Sequence, residues 1–416
     1  MMQISSGCKQ WRGPVKRQGQ PLLPFDFCLL TFDLLLCLLS LFSVMCFAQE
    51  PRPYAAINYN SVNYNGPGRD AGHDLAGAEI HIGLLLPMAG PHQAEGEALR
   101  RGAQMAVGEE NANFLPGDHR LILVARDESG PWGQASAQIV HMVFDDQALA
   151  LITSSEGSSA HLAEQVGNKI GVPVLTLSTD STTTQINLPW IFRMGPTDAA
   201  QAQTFAREIY QTRKLRRVVL LSQDDRDGRL GGEEFTKAAR EMNAAAPTRI
   251  LVGPQELEEA GAWRELATAQ AVVIWTDATT AHWLTARVRE LRPTVPLYLC
   301  RKAAEEDSSA ESLPSCTACS NPAASPLIAA PPASREVWAG FYHRYRQCFG
   351  AEPGLGAAQA YDAVRVLATA LRQSGPNRAR LRDRLAGVSA FAGAAGVVSF
   401  DHAGNNTSPV TLLKLR

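Results

Sequence analysis

Residues 148–179 read ALALITSSEGSSAHLAEQVGNKIGVPVLTLST. An apolar run, a turn rich in serine and glycine, a stretch with apolar residues at helical spacing and a second apolar run follow one another, with no hairpin signal between the two runs. Strands covered on both faces read as continuous apolar text, and two parallel strands need a crossover between them. The stretch therefore predicts a strand-helix-strand unit within a buried parallel sheet.

The alternation extends both ways. Upstream, EIHIGLLLPMAG (79–90) predicts a buried strand and its turn, EGEALRRGAQMAVGEENAN (95–113) a helix, LILVARD (121–127) a strand and residues 134–144 a helix. Downstream a second series begins with RRVVLLSQDD (216–225) and GGEEFTKAAREMN (231–243), then TRILVGP (248–254), AVVIWTD (271–277) and TAHWLTARVREL (280–291). The fold class is α/β, with two units in tandem whose parallel strands form doubly wound sheet. Helical periods return at 335–350 and 357–375, and the turn signal of Asp401–Asn405 between two β-like runs predicts a terminal hairpin or strand pair.

The chain has 416 residues, enough for two cores, and its 39 Lys and Arg against 41 Asp and Glu leave a net charge of -2. No basic field is present to hold nucleic acid. No phosphate-binding loop and no strand-coupled G-x-G-x-x-G occurs, so no nucleotide cofactor is expected, and His161 and His282 lack the spacing of metal ligands.

Lys9, Arg12, Lys16 and Arg17 precede an apolar run from Phe27 to Phe47 that Asp33 interrupts. The segment left, Leu34 to Val44, suits a signal h-region better than a membrane span of ~20 residues. Residues 1–48 are read as an export signal cleaved after Ala48, with lipidation of Cys46 or a retained anchor as alternatives. Residues 49–78, rich in Asn, Tyr, Gly and Pro, are read as a disordered spacer, with order starting near Glu79. Beyond the leader, Cys300, Cys316, Cys319 and Cys348 permit two disulfides in three pairings.

In an α/β sheet, ligands sit beyond the carboxyl ends of the strands. That rule selects PMAGPHQ (87–93), TSSEGSS (153–159), TLSTDSTT (176–183), SQDDRDGR (222–229) and WTDATT (275–280). Ser158 or Ser159 stands at a predicted helix N-terminus, where it serves either as a cap or, with free N–H groups, as a seat for an anion. Asp180, Asp227 and Asp277 follow strands, so they either cap the next helix or offer carboxylates to an ammonium group. A serine nucleophile needs an elbow with flanking glycines, and only Gly157 is present.

Several segments are similar to the type I periplasmic binding proteins, the leucine/isoleucine/valine-binding group that serves ATP-binding cassette importers. PMAGPHQAEGEALRRGAQMAVGEEN (87–111) resembles their opening strand and helix, and LVARDESGPWGQASAQIVHMVFDDQALALITSSEGSSA (123–160) their next stretch. IFRMGPTDAAQAQTFA (191–206) resembles their crossover between lobes, and AYDAVRVLATAL (360–371) with FAGAAGVVSFDHAGNN (391–406) their C-terminal signature.

The resemblance implies an α/β fold of two Rossmann-like lobes with parallel sheets, each of discontinuous chain, joined by a multi-strand hinge with the ligand cleft between them. Lobe 1 is then 79–198 plus 300–385, and lobe 2 is 199–299 plus 386–416. It further implies a periplasmic monomer without catalytic residues that closes on a small solute and presents it to a membrane permease. Ser158 falls where the family grips a ligand carboxylate, with Ser159 beside it, and Ser178, Thr179 and Asp180 fall on the second ligand loop. Asp227-Gly228 replaces an aromatic-Gly step, the loop of Trp275 to Asp277 departs from the branched-chain type, and Arg301 and Lys302 stand where an acidic ligand partner is expected. An acidic, polar or non-amino-acid ligand is thus as compatible as a branched-chain one. A membrane-held sensory protein of the same fold is the alternative.

Export with cleavage predicts that N-terminal sequencing of the exported chain begins at Gln49. An intact leader would instead favour the membrane-held sensory protein.

Overall fold

The computed structural model describes residue 64 and residues 66–113, 119–185, 188–253, 260–304 and 326–414. The leader, most of the spacer, Cys316 and Cys319 lie outside the described residues. No described helix is long and apolar enough to cross a membrane.

The first lobe alternates β1 (Glu79–Leu86), α1 (Gln93–Ala112), β2 (Arg120–Asp127), α2 (Trp132–Phe144), β3 (Ala150–Thr153), α3 (Gly157–Ile170), β4 (Val174–Thr176) and β5 (Ile191–Arg193). Its five-stranded sheet has the order β2-β1-β3-β4-β5, and every pair is parallel. The second lobe runs α4 (Asp198–Ala206), β6 (Val218–Gln223), α5 (Arg226–Glu241), β7 (Thr248–Val252), α6 (Ala260–Thr268), β8 (Ala271–Trp275), α7 (Ala278–Leu291) and β9 (Leu297–Leu299). After β10 (Leu327–Ala330) come α8 (Arg335–Phe349), α9 (Leu355–Ser374), α10 (Arg378–Ala386), β11 (Phe391–Ala392), β12 (Val397–Val398) and β13 (Thr411–Lys414). The six-stranded sheet, ordered β13-β10-β9-β8-β6-β7, is parallel except for β13 on its edge. β10 thus joins the second sheet, although its residues fall in the span 300–385 assigned by resemblance to lobe 1.

Apolar text explains the buried strands. Every residue of β3 and of β8 is buried, as continuous apolar runs require of strands sandwiched between helices. α9 is buried nearly all round and packs along α1. The approach is close: a Cβ added at Gly102 of α1 would lie 2.0 Å from the carbonyl oxygen of Ala357.

The chain passes between the lobes at residues 194–197, 331–334 and 387–410. These crossings meet around a small cavity lined by Gly195, Pro331, Gly396, Arg301 and Asp362. Asp362 of α9 accepts the N–H groups of Ala394 and Ala395 at 2.8 and 2.7 Å, tying the third crossing to the first lobe.

Two expectations change. Order begins before Glu79: Tyr64 is buried edge-on against Trp190, Arg69 pairs with Asp383 at 2.7 Å, and Arg380 pairs with Asp74 at 2.8 Å. One aromatic anchor and two ion pairs to α10 hold a segment whose polar text carries no period. The Asp401–Asn405 turn forms and closes the single bridge between Phe400 and Asn406, but no hairpin of long strands follows. β12 pairs with β11 and β13 with β10, while the turn itself docks on β5 through the Arg193 N–H and the Gly404 carbonyl.

Gly102→Ala forces a methyl group into backbone that cannot step aside. We expect a loss of about 2 kcal/mol in unfolding free energy by denaturant titration; an unchanged midpoint would show that α1 and α9 have slack.

Candidate functional site

The carboxyl ends of both sheets' strands converge on one narrow crevice, lined among others by Thr179, Gln223, Asp227, Trp275, Asp277 and Lys302. This is the position that open parallel sheets offer to ligands.

The serine-rich turn resolves into separate roles. α3 starts at Gly157, and Glu156 stands at its cap position without a side-chain cap bond. Ser158 is therefore inside the first turn and exposed, while Ser159 is buried, so neither is the cap that the sequence allowed. The Gly157 N–H is taken instead by Asp227 Oδ2, at 3.0 Å, from α5 of the other lobe. Ser154 and Ser155 donate to Glu128 and Glu95, and burial pushes the Glu128 carboxyl up to about 8.

The next loop is organised by Asp180. Ser178, buried, accepts the Asp180 N–H on its hydroxyl and an Arg193 N–H on its carbonyl, and the Thr179 carbonyl accepts the N–H of Asp198. Asp180 accepts the Thr182 N–H and hydroxyl at 2.8 and 2.7 Å and the Arg226 guanidinium, and His161 Nε2 lies 3.4 Å away. Burial alone would raise this carboxyl, but the bonds from His161, Thr182 and Arg226 outweigh it and hold it well below the usual carboxylate range. Reciprocally, the bonds to Asp180 and Glu164 push His161 up to about 9, so at neutral pH it is a cation and no base.

Across the crevice, Lys302 is buried with its Nζ 2.7 Å from Glu156 Oε1 and 3.2 Å from Asp227 Oδ2. Desolvation opposes its charge, yet the two carboxylates hold it raised well above the ordinary lysine value. Arg226 spans Asp180, Thr182 Oγ1 at 3.2 Å and Asp227 Oδ1 at 3.3 Å. Gly157 makes room for this: a Cβ there would sit 2.5 Å from Asp227 Oδ1 and 2.6 Å from Arg226 Nη1.

The structure thus brings Asp180, Asp227 and the helix start bearing Ser158 and Ser159 together. Asp227 lies in the first turn of α5 and not in a loop. Asp277 caps α7 through the Thr280 N–H and is braced by Gln223 through two bonds of 2.7 Å. Trp275 lines the crevice wall, buried against Phe205 and Gly231.

Sequence reading missed Glu156, Arg226 and Asp198, the last buried and pushed up to about 8, and saw Lys302 only as a departure from a family pattern. Only adjacency to Asp227 in DDRDGR pointed to Arg226. His92, Glu95 and Glu156 bring possible metal-ligand atoms within 4.8 Å of one another, but the Lys302 ammonium already takes the cation position beside Glu156. Cys300 is a free buried thiol, pushed up to about 12 by burial, and Cys348 is free and exposed, so the two are not joined to each other.

The His161 shift has a sign. A histidine raised to about 9 stabilises the fold in full below its ordinary value of 6.5, and that contribution is lost as pH rises through 9. Between about pH 7 and 10 the protein should therefore lose more thermal stability than its His161→Asn variant; parallel melting curves would refute the shift.

Known proteins share this architecture. Leu/Ile/Val-binding protein BraC3 of Rhizobium johnstonii is 25% identical over 177 residues, covering 42% of this chain and 47% of that protein. An amino acid binding protein of Pseudomonas aeruginosa is 28% identical over 175 residues, covering 42% and 46%. The matched region spans about half the length of these curated relatives. Among solved structures, the branched-chain amino acid transporter substrate binding protein LivJ of Streptococcus pneumoniae, in complex with isoleucine, superposes with a TM-score of 0.65 at 20% identity, covering 81% of this chain and 99% of that one. A solute binding protein of an ABC transporter from R. palustris, in complex with benzoate, does so at 0.68 and 18%, covering 81% and 93%. The family model described as periplasmic binding protein matches residues 79–416, and with two parallel-sheet lobes facing one crevice the chain belongs to that family.

Proposed function

We propose that this protein is exported to the periplasm, captures a small polar solute, an amino acid or related carboxylate, between its lobes, and delivers it as a monomer to an ATP-binding cassette permease. The observation that carries the reading is the pair of charged seats on the first lobe. The N-terminus of α3 holds a carboxylate, and the buried Asp180 carboxylate holds a cation. Free N–H groups and the positive end of a helix dipole favour a ligand carboxylate at α3, with the Ser158 and Ser159 N–H groups and the Ser158 hydroxyl beside it. Asp180, steadied by Ser178 and Thr182, suits an ammonium group, with Thr179 beside it on the crevice lining. Trp275 and Asp277 form the far wall, where the ligand's remaining part is read.

The relatives and neighbours support solute capture, and their named ligands, isoleucine and benzoate, mark the range of chemistry that the fold accommodates. The permease follows from the same kinship.

Purified mature protein heated with L-leucine, L-glutamate, acetamide or benzoate should melt higher with at least one of them, since a ligand at a hundredfold its Kd adds about 2.7 kcal/mol. No shift with amino acids, amides or carboxylates would defeat the proposal. Ser158→Ala, at an exposed position, should leave the unliganded melting temperature unchanged and weaken binding of the active compound about tenfold, the loss of a bond to a charged group. Equal affinity would remove the hydroxyl from the site.

A further inference from the structure

The two seats on the first lobe are occupied by neighbouring side chains of the second. Asp227 puts its carboxylate on the α3 N-terminus, at 3.0 Å from the Gly157 nitrogen, and Arg226 puts its guanidinium on Asp180 and Thr182. The two side chains touch each other at 3.3 Å, so a carboxylate and a cation lie side by side as they do in an amino acid. Lys302, itself bound to Glu156, completes the carboxylate's surroundings at 3.2 Å.

From this we infer that Arg226 and Asp227 are specificity-determining residues that act as an intramolecular stand-in for a zwitterionic solute. The inference deepens the proposed function and rests on its assignment of the seats.

Three independent features fit a built contact. Gly157 is the one residue whose missing Cβ admits both side chains, with clearances of 2.5 and 2.6 Å to where that atom would stand. Asp180 is 2% exposed, and its carboxylate holds the Arg226 guanidinium in addition to His161, whose Nε2 lies 3.4 Å away. Asp225 caps α5 through the Gly228 N–H, which leaves the Asp227 carboxylate free of its own helix start and available to α3.

The consequence for selection is direct. Closure on a solute removes Asp227 and Arg226 together, because both ride on the first turn of α5. A zwitterion replaces both charges. A carboxylic acid lacking the amine replaces only Asp227 and leaves Asp180 with His161 as its one remaining cation, without the Arg226 charge. The stand-in also holds the lobes together without solute, so solute binds against an internal competitor.

Two measurements test this on the mature chain. Small-angle X-ray scattering without solute should give a smaller radius of gyration for the natural protein than for the Arg226→Gln/Asp227→Asn double variant. Gly157→Ala, which displaces the same contact from the first lobe, should expand the protein likewise. Calorimetric titration with L-leucine and L-glutamate, and with 4-methylpentanoate and glutarate as their deaminated counterparts, should show the natural protein preferring the amino acids. The double variant should bind the preferred amino acid about tenfold more tightly, as removal of a competing closed state requires.

Equal radii for the natural protein and both variants overturn the stand-in, even if an amino acid binds. Equal affinity for an amino acid and its deaminated acid overturns its role in selection. Expansion of the variants with no binding of any of the four compounds upholds the contact and defeats the proposed solute class instead.

Discussion

Two parallel strands cannot be joined by a tight turn, and this constraint governs the rest of the molecule. Each strand of the first sheet, and each from β6 to β8 in the second, must be carried back, so the carboxyl ends gather on one edge of each sheet. Helix starts gather there too, bringing N–H groups that no turn of their own helix can satisfy. When the two edges face each other, those groups and the loop carboxylates supply one another's partners. α3 finds its cap on α5, 70 positions away in sequence.

The lobes were legible in the text because burial on both faces leaves an unambiguous trace. AVVIWTD and VPVLTLST are apolar without alternation and form buried strands of parallel sheets, whereas LILVARD reads the same way yet forms the half-buried edge strand β2. β13 was read as a β-like run, but its antiparallel pairing with β10 was not, since an edge strand imposes no such trace. Nor was the docking of Tyr64, which depends on Trp190 and Ala379, residues that no local period connects to it.

At the site, Asp180 and Asp227 were visible because position at a strand end is a local property. Ser158 misled because cap preference is also local, whereas the atom that satisfies Gly157 comes from the other lobe. Glu156, Arg226 and Lys302 carry no signal of their own: a charged residue in a loop is usually solvated, and only the meeting of two sheets turns these three into a network. What sequence could not supply was the pairing, which is a property of closure.

That network also makes the surrounding medium part of the hinge. Arg226 retains 41% of its side-chain surface and Glu156 28%, so their attraction is felt partly through water and its ions. At 0.15 M salt the screening length is about 8 Å, and at 1 M about 3 Å, comparable with the contacts themselves. If the Arg226–Asp227 contact holds the crevice shut, ionic strength sets part of that hold, and dissolved salt eases the opening of the crevice before any solute arrives.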